Sequence, residues 1–222
     1  MNQPPLYVAF AASDQLRDRI DAFIHAVRDQ PDTNHVDALE AIMDPFLNEV
    51  LHTYFTGPVD AVQAKGAAVA VILGAMKVIN KAAHGLTARL MRKTSVAEQH
   101  ALARHFARLR LEKEGRVYIG YPLMPALAEQ AQAVFREFAA GNGQMPQLVA
   151  VMSGVSDGAV ENYLDKTVGN LELGRLNRGL VAGARVTIKK AAASSVEKGI
   201  PAMEAQHRIP VVAYFESLLL QL

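Results

Sequence analysis

Between Ser13 and Asp29 the residues Leu16, Ile20, Phe23, Ile24 and Val27 recur three and four places apart, which gathers them into one apolar stripe along an α-helix. The same period returns through most of the chain, so the dominant constraint is that helices must bury their stripes against one another. The 222 residues, half of them apolar, supply a sizeable core for one large domain or two small ones. The pattern predicts an all-α, multi-helix bundle. For description it divides into residues 1–94, acidic helices plus a long central helix, and 95–222, a basic helical region; a single domain fits the same pattern.

Local signals punctuate the bundle. Ser13 is a good N-cap for the first helix. A second, 34–55, carries Asp44-Pro45, where the proline removes an amide donor and predicts a kink or break. Gly57-Pro58 resets the chain before a long helix over 59–92, in which Gly66, Ala70 and Gly74 repeat every four residues as an edge that lets another helix approach closely. Ser95 and Glu98 match a capping box that starts a helix at Val96. Residues on either side of Lys113-Glu114-Gly115 alternate in polarity, predicting a small β-hairpin over about 108–121, with a helix continued to about Glu114 as the competitor. Helices resume over 125–139, 146–152, 156–167, 171–190 and 211–222. The last has few polar positions and must be buried in the bundle or against another subunit.

Composition narrows the chemistry. Without cysteine there are no disulfides, thiolate nucleophiles or cysteine-bound zinc, which fits a reducing compartment. Residues 6–12 are apolar, yet no Lys or Arg precedes them and the run is too short for a signal-peptide core. The most apolar run, 67–76, lies between Lys65 and Lys77 and is roughly half of what a spanning helix needs. It reads as a buried helix, and the expectation is a cytoplasmic protein with no membrane partner. Charge is uneven: residues 1–60 hold ten acids against three arginines, a net −7, which leaves +8 for the remainder of a chain whose total is +1. A basic half of this kind suits a polyanionic partner, unless the acidic segment simply docks on it.

The stretch 147–166 carries the most specific signal. Two helices meeting at a sharp turn need a small residue where they cross, here Ala150, and one tolerant of positive φ in the turn, here Gly154. Val149, Val155, Val160 and Tyr163 fall where side chains would point between them, and Ser156 would cap the second. The run Gly154-Val155-Ser156-x-Gly158-Ala159-Val160-x-x-Tyr163 resembles the helix-turn-helix of TetR-like and LacI-like repressors over about twenty residues. The resemblance implies a recognition helix over 156–165, with Ser156 and Asn162 facing the major groove and Lys166 beyond them. The same unit serving purely as scaffold is the alternative.

Two basic surfaces extend this reading. Arg175, Arg178, Arg185, Lys189 and Lys190 follow on the next helix, with only Glu172 opposing them, and their spacing keeps four on one face. Upstream, Arg108, Arg110 and Lys113 belong to a basic run over 89–116 whose helix and hairpin are similar to a winged helix. Enzymatic chemistry has one foothold, the pairs Glu49/His52 and Glu204/His207, whose spacing is similar to the Glu-x-x-His metal ligands of ferritin-like bundles. Walker loops, dinucleotide fingerprints and nucleophile elbows are absent. The expected function is therefore binding without a cofactor, directed at nucleic acid, with DNA ahead of RNA. The alternatives are an adaptor or assembly subunit meeting an acidic protein surface, as a homo-oligomer or in a complex, and then a di-metal carboxylate protein.

Overall fold

The computed structural model describes residues 4–222. It opens with strand β1, Leu6–Ala11, which runs into helix α1, Asp14–Asp29. The Ser13 hydroxyl accepts from the Leu16 amide, and Glu49 accepts from both the amide and the hydroxyl of Ser13, so the start of α1 is tied to the end of α2, Val36–Leu51. Pro45 lies inside α2 and the helix runs through it; the irregularity comes instead at a π-helical turn, His52–Thr56, ahead of the short α3, Gly57–Ala61. The chain breaks again before α4, Ala67–Leu90, because Gly66 adopts φ of 89° and ends as the N-cap. The predicted long helix over 59–92 is thus two pieces.

Ser95 and Glu98 form the expected capping box at the start of α5, Val96–Leu109. The expected hairpin is β2, Arg110–Lys113, with β3, Arg116–Pro122. Its two-residue loop, Glu114 and Gly115, has positive φ at both positions, the geometry whose twist matches the flanking strands. The hairpin is half of a four-stranded antiparallel sheet ordered β2-β3-β1-β4, in which Val8 pairs with Tyr121 and Tyr7 with Leu220. The final helix, α10, spans Ala205–Ser217, and β4, Leu219–Gln221, follows it; the 211–222 helix expected from the sequence stops early because its last residues pair with β1. The mostly all-α bundle holds as expected, with a larger sheet than the hairpin alone.

Between the sheet and β4 lie α6, Pro125–Ala139; α7, Met145–Val160; a second π turn, Glu161–Asp165; α8, Lys166–Val168; α9, Arg175–Ser194; and a third π turn, Ser195–Gly199. Helix α7 passes straight through Gly154, so the two helices predicted over 146–152 and 156–167 are one, and Ser156 lies in mid-helix and caps nothing. One continuous set of buried apolar side chains joins β1 to α10. At its centre, rings pack edge to face: Phe23 on Phe106, Phe106 on Phe46, Phe46 on Tyr163, and Tyr163 on both Tyr54 and Tyr121.

The small residues of α7 are explained by this packing. A Cβ on Gly158 would stand 2.7 Å from the ring of Tyr121, a ring held in place by the 2.6 Å hydrogen bond its hydroxyl donates to the Val155 carbonyl. A Cβ on Gly154 would meet only the movable methyls of Leu127 at 2.9 Å. Gly158→Ala is therefore expected to lose about 1–3 kcal/mol through overpacking. Gly154→Ala should be close to neutral or gain a few tenths, since alanine favours an uninterrupted helix. Urea denaturation of both variants tests this; a large loss for Gly154→Ala would instead mean that the chain needs a glycine turn there.

Candidate docking face on the α4–α9 helix pair

The residues singled out for nucleic-acid contact do not form one surface. Ser156 is half-buried and lies in the wall of an interior cavity. Asn162 is buried; its amide donates to the Gly158 carbonyl at 2.9 Å and its oxygen accepts from Lys166 at 2.8 Å, while Lys166 also pairs with Glu161 at 3.2 Å. Both residues expected to face a groove are turned into the protein by the continuous helix. Arg110 grips Asp21 at 2.7 Å and Glu112 at 3.3 Å, and Lys113 donates to the Gln221 carbonyl at 2.7 Å. Those two cations serve to fasten the sheet. Arg108 is exposed and shares with Asn162, Asp165, Lys166 and buried His105 a polar recess of about 570 Å³.

The alternative metal set is not assembled either. Glu49 is occupied by Ser13, the His52 ring bonds the Thr56 hydroxyl at 2.8 Å, and Glu204 is the N-cap of α10, where its carboxylate accepts from Gln206. His207 is half-buried, and no group of three or more His, Asp or Glu placed to hold a metal ion occurs among the described residues.

The basic helix fares differently. Helix α9 lies antiparallel on α4 in the most extensive helix–helix contact of the fold: Arg89, at the end of α4, bonds Asn177 near the start of α9, and Gly199 beyond α9 abuts Ile72 near the start of α4. Only one side of each helix is buried. On α9 the buried positions include Ile188 and Ala192, whereas Arg175, Leu176, Gly179, Leu180, Gly183 and Lys190 are exposed. On α4 the outer side presents Ala70, Gly74, Lys77, Val78, Lys81 and Gly85. The small residues read as a seam for a neighbouring helix therefore face solvent, and Gly66 is outside the helix. Ala67–Lys93 is long and apolar enough by composition to cross a membrane, but 22 % of that window is buried, so the segment is a half-exposed helix and not the buried one expected.

Between the two helices runs a groove of about 730 Å³, floored by Ala82, Gly85, Gly179, Gly183 and Ala184 and edged by Val78, Leu176 and Leu180. Leu176 is 71 % and Val78 45 % exposed. Neither α4 nor α9 contains a single Asp or Glu, against eight Lys and Arg. Arg185 is spent on a two-pronged bond to Asp165 at 2.8 and 2.6 Å, and Arg178 donates to the Leu173 carbonyl. Lys77, Lys81, Arg175, Lys189 and Lys190 make no ion pair among the described residues. The sequence reading found the cations of α9 and missed the apolar floor and the α4 lysines, although the absence of acids from both helices was the available signal.

Comparison with protein-family models, curated proteins and solved structures finds no match for this chain.

The recess beside the face holds one group whose titration bears on stability. Burial, with the neighbouring Arg108 charge, lowers the His105 pKa to about 4, and its Nε2 lies 3.1 Å from the Thr167 hydroxyl. The folded protein thus keeps this imidazole neutral while the unfolded chain takes up a proton near 6.5. Stability is unaffected above that pH, falls as pH drops from 6.5 toward 4, and is lost no further below. Replacing His105 with Gln, which keeps a hydrogen-bonding group, should remove a penalty on the order of 2–3 kcal/mol at pH 4. Urea melts of both proteins at pH 7.5 and 4.5 measure it; identical pH dependence would show that His105 does not set it.

Proposed function

We propose that this protein acts by binding, as an adaptor whose α4–α9 face receives an acidic amphipathic helix of a partner protein. The observation that carries the reading is the set of three mid-helix glycines that line the groove, Gly85, Gly179 and Gly183, at each of which an added Cβ would meet nothing within 4 Å. Each lowers helix stability by about 1 kcal/mol relative to alanine and relieves no internal clash, so the space it leaves is useful only to something outside. A helix lying in the groove can use it, because small residues allow close backbone approach, and Leu176, Leu180 and Val78 can then pack into its apolar side. Lys81 at the groove, with the other unpaired cations of the two helices, favours a partner with carboxylates.

The same features weigh against other occupants. A second copy would set eight cations against eight. A bilayer gains with buried apolar area, which glycine and alanine scarcely supply. A phosphate backbone would meet leucine and valine at the middle of the face, so the nucleic-acid reading rests only on the rim.

The decisive comparison uses a designed helical peptide with a glutamate face and a leucine–alanine face, its lysine counterpart, duplex DNA and RNA, each followed by fluorescence anisotropy. The glutamate peptide should bind in the micromolar range and weaken with salt. In Gly179→Ala/Gly183→Ala, affinity should fall at least tenfold while the fold gains about 1–2 kcal/mol, read as a rise of some 2–4 °C in Tm per kcal/mol. Salt-sensitive DNA or RNA binding with no response to the glutamate peptide would reject the adaptor reading in favour of nucleic acid.

A further inference from the structure

A second feature, independent of the outer face, lies in the interior. Helices α2, α4, α7 and α9 and the first two π turns line a cavity of about 130 Å³, with Phe46, Ile79, Leu86, Val160 and Ile188 in its wall and no charged residue. Protein cores are close-packed, and voids larger than a water molecule are few in any domain. Three wall positions are alanines, Ala83, Ala159 and Ala192, where one larger apolar side chain would reduce the void. Both π turns, His52–Thr56 and Glu161–Asp165, contribute to the wall, and single π turns are rare features that recur at functional sites.

The polar groups of the wall are turned elsewhere. Tyr54 and Tyr163 present their rings to the cavity, while their hydroxyls expose almost no surface and cluster with that of Tyr121, which donates to the Val155 carbonyl. The Thr87 hydroxyl donates to the His84 carbonyl at 3.2 Å. The Thr167 hydroxyl donates to the Tyr163 carbonyl at 2.9 Å and lies 3.1 Å from Nε2 of His105. Among the lining side chains that leaves at most the Ser156 hydroxyl free to meet an occupant. A buried water needs two to four polar partners, so these side chains do not hold one well.

We propose that this cavity is a binding site for a small molecule that is apolar throughout, a hydrocarbon of the size of a single ring. A comparable cavity of about 150 Å³ lined by leucine, isoleucine and phenylalanine stays dry and accepts benzene. Such an occupant restores the dispersion contacts that side chains facing a void forgo. A hydroxylated ring would give up its hydration for at most one partner, and a carboxylate or ammonium would be buried with no counter-charge.

The test is calorimetric titration of the full chain with benzene, phenol and benzoate at pH 7.5, with methyl NMR spectra recorded in parallel. Benzene should bind with a dissociation constant of about 0.1–1 mM, phenol at least tenfold more weakly, and benzoate not measurably. Benzene should also shift the methyl resonances of Ile79, Leu86 and Ile188, whose side chains line the cavity. Ala192→Leu, which adds bulk at the wall, should weaken benzene at least tenfold. Absence of benzene binding would overturn the proposal, as would phenol binding as tightly as benzene, or undiminished benzene binding by folded Ala192→Leu. So would binding that leaves those three methyl groups unmoved, a result read on the unaltered protein and therefore decisive even where Ala192→Leu fails to fold.

Discussion

The ring of Tyr163 meets three other aromatic rings edge-on, Phe46 at 5.5 Å, Tyr121 at 5.4 Å and Tyr54 at 6.4 Å between centroids, and much of the fold is arranged around that contact. Phe46 hands the packing on to Phe106, and Phe106 to Phe23. Six rings from α1, α2, α5, β3 and two π turns are thereby joined, each pair contributing about 0.5–1.5 kcal/mol beyond its buried area. The π turns are what make the geometry available. An extra residue in a turn rotates the following helical face by about 100° relative to a regular helix, and both Tyr54 and Tyr163 fall inside such turns. The close approach of Gly158 to Tyr121, the buried Asn162 and the cavity wall all follow from where Tyr163 is held.

What could be read from the sequence was local. The Ser13 cap, the Ser95–Glu98 capping box and the Glu114-Gly115 hairpin turn depend on neighbours within a few residues, and each is present. Residues 6–12 and 219–221 were not recognised as strands because each needs a partner more than a hundred residues away, β3 for one and β1 for the other. The turn at Gly154 was misjudged for a related reason. A glycine amid apolar residues fits a sharp turn or a continuous helix equally well, and only tertiary neighbours decide: Leu127 lies against Gly154 and the ring of Tyr121 against Gly158, four residues on along the same helix. Ser156 and Asn162 then follow the helix inward. The groove was half legible: its cations were visible in α9, but its floor exists only where α4 and α9 lie side by side.

The charge asymmetry of the chain divides along the same line. Within the acidic first sixty residues, Asp14 and Asp18 are taken by Arg17 and Asp29 by Arg28. Three further acids reach into the basic remainder, where Asp21 holds Arg110, Glu40 holds Arg92 and Asp44 approaches His84. The upstream basic run is thus partly neutralised within the molecule, as a docked acidic segment would do. No such pair reaches α9, whose one acidic partner, Asp165, comes from the adjoining π turn. On α4 and α9, Lys77, Lys81, Arg175, Lys189 and Lys190 therefore keep their charge without an acidic partner among the described residues, on helices that carry no acid of their own.

Glycines that relieve no clash are a departure from what stability alone would favour, and such departures concentrate where a protein meets something else. Here they lie on the outer side of a two-helix layer whose inner side walls the interior cavity. Ile79, Ala83 and Leu86 of α4 with Ile188 and Ala192 of α9 line the cavity, while Ala82, Gly85, Leu86, Gly183 and Ala184 line the groove. Leu86 belongs to both. A helix pressed into the groove would therefore bear on the same two-helix layer that walls the interior cavity. The glycines that open the outer surface also soften that layer, since each lowers the stability of its helix by about 1 kcal/mol relative to alanine.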